Sequence, residues 1–230
     1  LMPAFLTVLN PGSLLIFAGV VAAFVQVRQF RQALCVIAPV IGILMLVTAQ
    51  HGVDHLTISA LGLELSVYRV DSLNFIFGLV FLIAALLNSI YALHTDNRLQ
   101  DGMALAYAGS AVAATFAGDL MTLFVFWEIT AITSVFMVLQ AGTRAAYFAS
   151  MRYLGIQILS GVLLLAGIAY VWQSTGSLSL QAFTDFSQPG ALIIFIAFGI
   201  KSAFPFLHNW LQDAYPKASV VGAVVLSAFT

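Results

Sequence analysis

The chain has 230 residues, of which 62% are hydrophobic, 13% aromatic and only 7% charged, with a formal net charge of −1. Soluble domains carry about 25% charged residues, so this composition excludes an ordinary soluble fold and points to an integral membrane protein. A charge balance this close to neutral provides no basic surface for nucleic acid, and no nucleic-acid partner is expected.

Apolar runs of membrane-helix length fall at roughly 11–27, 32–50, 70–93, 102–118, 119–140, 150–172 and 190–211, with an eighth starting near 218. Between the second and third, His55-Leu-Thr-Ile-Ser59 and Leu63-Glu-Leu-Ser-Val-Tyr-Arg-Val70 alternate at period two around Leu61-Gly62. That pattern predicts a small hairpin on the membrane surface, over roughly 51–69. Asp71 is placed to cap the third span and Asp119 the fifth, while Tyr170 and Trp172 read as interface aromatics. The eighth apolar segment runs about twelve residues before Thr230, short of the roughly 20 a span needs, so the sequence reads as the N-terminal portion of a longer polypeptide. The opening Leu-Met-Pro-Ala-Phe carries no basic n-region, and no cleaved signal peptide is expected.

The basic residues sort by side. Arg28, Arg31, Arg98, Arg144, Arg152 and Lys217 follow odd-numbered spans, and only Arg69 falls on the other side. The positive-inside rule then places the N-terminus outside and those six residues in the cytoplasm; the expected location is the bacterial inner (plasma) membrane, as a multi-pass protein. Arg144 and Arg152 read as headgroup anchors. The single cysteine, Cys35, excludes an internal disulfide, and the four scattered histidines form no ligand cluster, so no metal or cofactor site is expected.

Two charges break the apolar pattern. Glu128 lies in Leu123-Phe-Val-Phe-Trp-Glu-Ile-Thr-Ala131, and Lys201 follows Ala191-Leu-Ile-Ile-Phe-Ile-Ala-Phe-Gly-Ile200. A charge at mid-membrane costs about 2.5–3.5 kcal/mol on insertion scales and is a functional-site hypothesis by default. Counted from the outer ends of their spans, the two sit roughly 14 and 16 Å deep, at one level of a core about 30 Å thick. Facing each other, they would keep both charges. Pro205 lacks the N–H that would bond the carbonyl of Lys201, and it pushes Phe204 out of helical geometry. The seventh span is therefore expected to break at the lysine, as helices do where a wet cavity satisfies the backbone. His208 follows seven residues on, on the same face if helicity resumes, and can exchange protons near neutral pH. Thr130, Thr133, Ser134, Gln157 and Ser160 are further polar groups within spans, suited to holding water or to helix–helix hydrogen bonds. A purely structural Glu128–Lys201 ion pair is the plainer alternative, although buried pairs are rarely net stabilising.

These motifs resemble a known family. Phe124-Val-Phe-Trp-Glu-Ile-Thr-Ala-Ile-Thr-Ser134 is similar to the fifth-helix motif of the antiporter-like subunits of respiratory complex I and the Mrp cation/proton antiporters. Gly199-Ile-Lys-Ser-Ala-Phe-Pro-Phe-Leu-His-Asn-Trp-Leu-Gln-Asp-Ala-Tyr215 resembles their seventh-helix motif, and Leu65 to Leu73 their strand pair leading into the third helix. Within the family, Asp213-Ala-Tyr-Pro-Lys-Ala-Ser219 and Leu226-Ser-Ala-Phe-Thr230 look most like the D-type subunit of the Mrp antiporters. The resemblance implies an all-α polytopic bundle of about fourteen helices with two inverted five-helix repeats. Residues 1–100 would hold three leading helices with the surface hairpin, and 101–230 an incomplete first repeat. It also implies that Glu128, Lys201 and His208 carry protons, that an eighth-helix lysine lies past Thr230, and that the partners are other antiporter-complex membrane subunits, the lipid bilayer, protons and Na+. Gln212 and Arg152 depart from the residues common in the family at those places, proline and lysine.

Four functions fit these residues. The first is a proton-translocating subunit of a multi-subunit monovalent cation/proton antiporter. The second is a proton-pumping subunit of NADH:quinone oxidoreductase or a membrane hydrogenase, with redox centres on other chains. The third is the proton channel of an inorganic-carbon uptake complex, and the fourth a scaffold that kept the fold without transport.

Overall fold

The structure, a computed structural model, describes residues 8–60, 62–180, 183 and 186–229; Leu61, the opening Leu-Met-Pro-Ala-Phe and Thr230 lie outside them. Nine α-helices follow in order among the described residues: α1 (Pro11–Phe24), α2 (Arg28–Val47), α3 (Ser72–Tyr91), α4 (Arg98–Thr115), α5 (Leu120–Leu139), α6 (Arg144–Thr175), α7 (Pro189–Lys201), α8 (Asn209–Ala214) and α9 (Val220–Phe229). Strands β1 (Val53–Ala60) and β2 (Leu63–Val70) pair antiparallel between α2 and α3. The all-α bundle with its surface hairpin is thus as the periodicity predicts, and the seventh span is present as two pieces, α7 and α8. Helices α2, α3, α5 and α6 are long and apolar enough to cross a membrane; α1, α7 and α9 are shorter and apolar.

Helix ends follow local chemistry. Asn10 caps α1, its side chain accepting from the Gly12 N–H at 2.9 Å, and Pro11 takes the first helical position. Asp71 caps α3 in a reciprocal capping box with Asn74. Asp119 caps α5, accepting from the backbone N–H of Thr122 at 2.8 Å, and it also accepts from the Ser66 N–H of β2 at 2.8 Å. Helix α6 begins at Arg144 rather than near 150, because Thr143 caps it by accepting from the Ala146 N–H, and it ends on Gly176 in the left-handed region. Its 32 residues make it about 48 Å long, well beyond the hydrocarbon thickness.

α4 lies at the centre. Most of its residues are buried, yet few are large: Gly102, Ala106, Ala108, Gly109, Ser110, Ala111 and Ala113 face its neighbours. It meets α1 backbone to backbone. A Cβ on Gly19 would lie 2.6 Å from the Ala106 nitrogen and the Gly102 oxygen, and one on Gly109 2.7 Å from the Gly12 oxygen and the Ile16 nitrogen. Small residues at such seams let helices approach without side chains between them.

The two polar faces of the bundle differ. On one, the hairpin is fastened to the α4–α5 connection by bonds from Gly118 N to Ser66 O (2.9 Å) and from Arg69 N to Phe116 O (3.0 Å), and Leu120 N donates to Leu178 O of the α6–α7 connection. On the other lie Arg28, Arg31, Arg152 and Lys217 with their partners, together with an Asn97–Gln140 bond and a Ser219–Gln100 bond. Arg31 is not a loop cation but 2% exposed, bound through Nε to Asp101 at 2.8 Å, and paired with Asp96.

Candidate functional site

The break after α7 has a defined geometry. Lys201 is the last helical residue; Ala203 N donates to Ile200 O and Phe204 N to Gly199 O, the two bonds of a Schellman ending, and Ala203 takes the left-handed conformation at φ 54°. Pro205 follows at once and Phe206 is also left-handed, at φ 71°. The Trp210 indole N–H donates to Ile200 O at 3.0 Å and ties the two helix pieces together across the break. The helix therefore does end at the lysine, and the carbonyl claimed by a side chain is that of Ile200, one residue before the one the proline rule singles out.

Lys201 Nζ is buried and has no hydrogen-bond partner. It lies over the Trp127 ring, 5.0 Å from the centroid. Trp127 is 7% exposed, packs edge-on to Phe198 of α7 at 4.9 Å, and donates its indole N–H to Ser160 Oγ of α6 at 3.3 Å. Next to it, Glu128 rests on Gly161 of α6: a Cβ at that glycine would overlap the carboxylate. Glu128 Oε1 is likewise buried and unpartnered. The two ionisable groups lie within electrostatic reach of one another, but no hydrogen bond or ion pair joins them among the described residues, so the facing contact pair expected from their depths is not formed. The ammonium meets the Trp127 face rather than a carboxylate oxygen.

His208 stands at the start of α8 and is half-buried. Residues 202–208 are non-helical, so helicity is not continuous from Lys201 to His208, and Lys201 Nζ makes no hydrogen bond to it. Of the other polar groups in the spans, Thr130, Thr133, Ser134 and Ser160 all donate to carbonyls of their own helices. Gln157 does not: it is fully buried and both amide atoms lack a partner. Neither the isolation of Gln157 nor the burial of Arg31 has a local sequence signal.

Arg152 is not a free anchor. It binds Asp213 through two nitrogens, at 2.7 and 2.9 Å, and Lys217 pairs with the same carboxylate. The Lys217 bond first, and the Arg152 bonds with it, hold the Asp213 carboxyl below the usual carboxylate range. Arg144 sits over the Phe148 ring at 5.8 Å.

Residues 117–230, which include the whole of this arrangement, match a family profile described as NADH:quinone oxidoreductase/Mrp antiporter, transmembrane. The chain belongs to that family. It is 30% identical over 118 residues to the D-type subunit of the Na(+)/H(+) antiporter of Alkalihalophilus pseudofirmus, a match spanning 46% of this chain and 24% of that protein. It is 29% identical over 171 residues to the N-type subunit of the NADH-quinone oxidoreductase of a Paenibacillus species, spanning 66% of this chain and 33% of that one. In fold it superposes on a chain of the Mrp complex from Dietzia sp. DQ12-45-1b with a TM-score of 0.74 and 20% identity, covering 97% of this chain and 45% of the other. The chain thus spans about a quarter to a third of these curated relatives, and it is a membrane-embedded member of the family.

Proposed function

We propose that the protein is a proton-translocating membrane subunit of a multi-subunit monovalent cation/proton antiporter, with Na+ as the cation. The observation that carries this reading is Lys201: a buried ammonium with no hydrogen-bond partner, on the terminal residue of a broken apolar helix. A static structural role would call for a paired charge, since an unpaired one is expensive at this depth. A group that takes and releases a proton needs an environment that fixes neither state. In this reading Lys201 carries the proton, Glu128 adjusts its charge across the Trp127 ring, and His208 receives the proton on the far side of the break. The orientation follows the basic face, with the N-terminus outside and Arg28, Arg31, Arg152 and Lys217 toward the cytoplasm of a bacterial cell. Other membrane subunits of the same complex are its partners.

The test is sodium-triggered collapse of a pH gradient in everted vesicles holding the full-length protein with its partner subunits, as wild type and as Lys201→Ala. A sodium response lost in the variant is the expected result; unchanged antiport in Lys201→Ala would sink the assignment. A second reading, a redox-driven proton pump, draws support from the matches to NADH-quinone oxidoreductase relatives. It predicts no sodium response in wild type and Lys201-dependent proton pumping driven by quinone reduction.

A further inference from the structure

Gln157 projects from the buried face of α6, 0% exposed, with Nε2 and Oε1 both unpartnered. Leaving an amide so placed without hydrogen bonds costs roughly 1–3 kcal/mol, which a water-sized partner would remove. Its surroundings on that face are specific. One turn toward the hairpin side lie Ser160, which accepts from Trp127, and Gly161, against which Glu128 rests. One turn the other way lies Tyr153, 1% exposed, whose hydroxyl donates to Ser134 Oγ of α5 at 2.9 Å and whose ring lies 5.3 Å from Trp210. Trp210 in turn holds Ile200, the neighbour of Lys201. Each step along α6 is about 6 Å, too far for a direct bond and suited to one intervening water. The unpartnered atoms of Glu128, Gln157 and Lys201 thus come from α6 itself and from the two helices, α5 and α7, packed against it.

We propose that Gln157 holds two buried waters, one on either side of its amide, that together join the Glu128–Lys201 site to the Tyr153–Ser134 hydroxyl pair, making the inner face of α6 a proton route toward the Arg152–Asp213 surface. This rests on the transport reading above and adds a branch that does not pass through His208. Gln157 itself does not titrate: its Oε1 accepts from one water and its Nε2 donates to the other, so it is a positioning residue. The proton leaves Lys201 Nζ for the water on the Ser160 side of Gln157, a hydrogen of that water passes to a second water on the Tyr153 side, and a hydrogen of the second water passes to Tyr153 Oη. The tyrosine's own hydroxyl hydrogen moves to Ser134 Oγ, whose original hydrogen leaves the Ala131 carbonyl for a further water that the route requires on the Arg152–Asp213 side.

The experiment uses the same vesicles and the same sodium trigger, with Gln157→Leu, Gln157→Asn and Lys201→Ala beside wild type. Leucine has similar bulk and no amide, so an amide that holds only water leaves nothing unsatisfied when it is removed, and thermal stability should stay level or rise. The expected result is a fall in rate of about tenfold or more for Gln157→Leu, at unchanged half-saturating sodium, with a larger solvent deuterium isotope effect and partial recovery in Gln157→Asn. A Lys201-dependent response that Gln157→Leu leaves at the wild-type rate and isotope effect overturns the route alone. A wild type without sodium response, or a Lys201→Ala that keeps it, overturns the transport reading and the route with it. If Gln157→Leu does not accumulate, Gln157→Met is read the same way, and failure of both to fold also overturns the proposal.

Discussion

Lys201 Nζ lies 5.0 Å above the ring of Trp127, and that ring is itself held by a hydrogen bond to Ser160 on a third helix. The lysine's ammonium therefore rests on an aromatic face whose position depends on α6. Trp127→Phe keeps a ring and loses the Ser160 bond; Trp127→Leu loses the face as well. A desolvated cation–ring contact is worth about 2 kcal/mol, so Trp127→Leu is expected to lower transport far more than Trp127→Phe. Vesicle assays on the two variants, normalised to folded protein, give the comparison.

Gly161 and Gly155 offer a matched pair on one helix. A Cβ at Gly161 meets the Glu128 carboxylate, whereas one at Gly155 meets nothing within 4 Å. Gly155→Ala should be neutral or stabilising by up to about 1 kcal/mol, from helix propensity alone. Gly161→Ala should displace Glu128 and cost about 1–3 kcal/mol through overpacking, with transport reduced more than folding. Thermal unfolding in detergent, beside vesicle rates for both variants, checks the contrast.

Arg31 and Asp101 bury an ion pair whose removal is asymmetric. Arg31→Met leaves Asp101 charged and enclosed, and is expected to cost about 3–5 kcal/mol. The double variant Arg31→Met with Asp101→Leu should recover most of that loss, because both charges leave together. A double-mutant cycle on unfolding midpoints measures the coupling; additive losses would contradict the burial argument.

Asp213 gives a pH dependence of known sign. Its carboxyl is held below the ordinary range by Lys217 and Arg152, so its stabilising contribution is fully present above the ordinary carboxylate pKa and fades as pH falls through the lowered value. The pairs are partly exposed, which limits the effect to about 1 kcal/mol or less. Asp213→Asn should remove this part of the acid sensitivity, visible as converging melting curves of the variant and wild type at low pH.

Much of the fold was readable because its signals are local. The alternation at 55–70, the capping aspartates at 71 and 119, and the proline four residues after Lys201 each act within a few positions. What escaped depends on distant partners. Arg31 meets Asp96 and Asp101 some 65 and 70 residues along the chain, and at a helix end it looks like any loop cation. Arg152 finds Asp213 across the break in the same way. The left-handed Ala203 carries no glycine to announce it, and the ring that claims the Ile200 carbonyl belongs to a residue ten positions on. Depth alone placed Glu128 and Lys201 at one level, but the contact of the ammonium with the Trp127 ring is a fact of packing, and so is the non-helical stretch that separates Lys201 from His208.

The seam between α1 and α4 has a mechanical meaning. Gly12 and Gly19 meet Gly109 and Gly102 at two points, each pair seven residues apart, with main chain against main chain. Side chains can hop between rotamers and let helices slip; bare backbones cannot. Two rods pinned twice along their length can neither roll nor slide without collision, so α1 and α4 form a single stiff beam through the middle of the bundle. α7 and α8 are joined differently, by the Trp210 side chain across the break and by the Arg152–Asp213 pair to α6, contacts that rotamer changes can release.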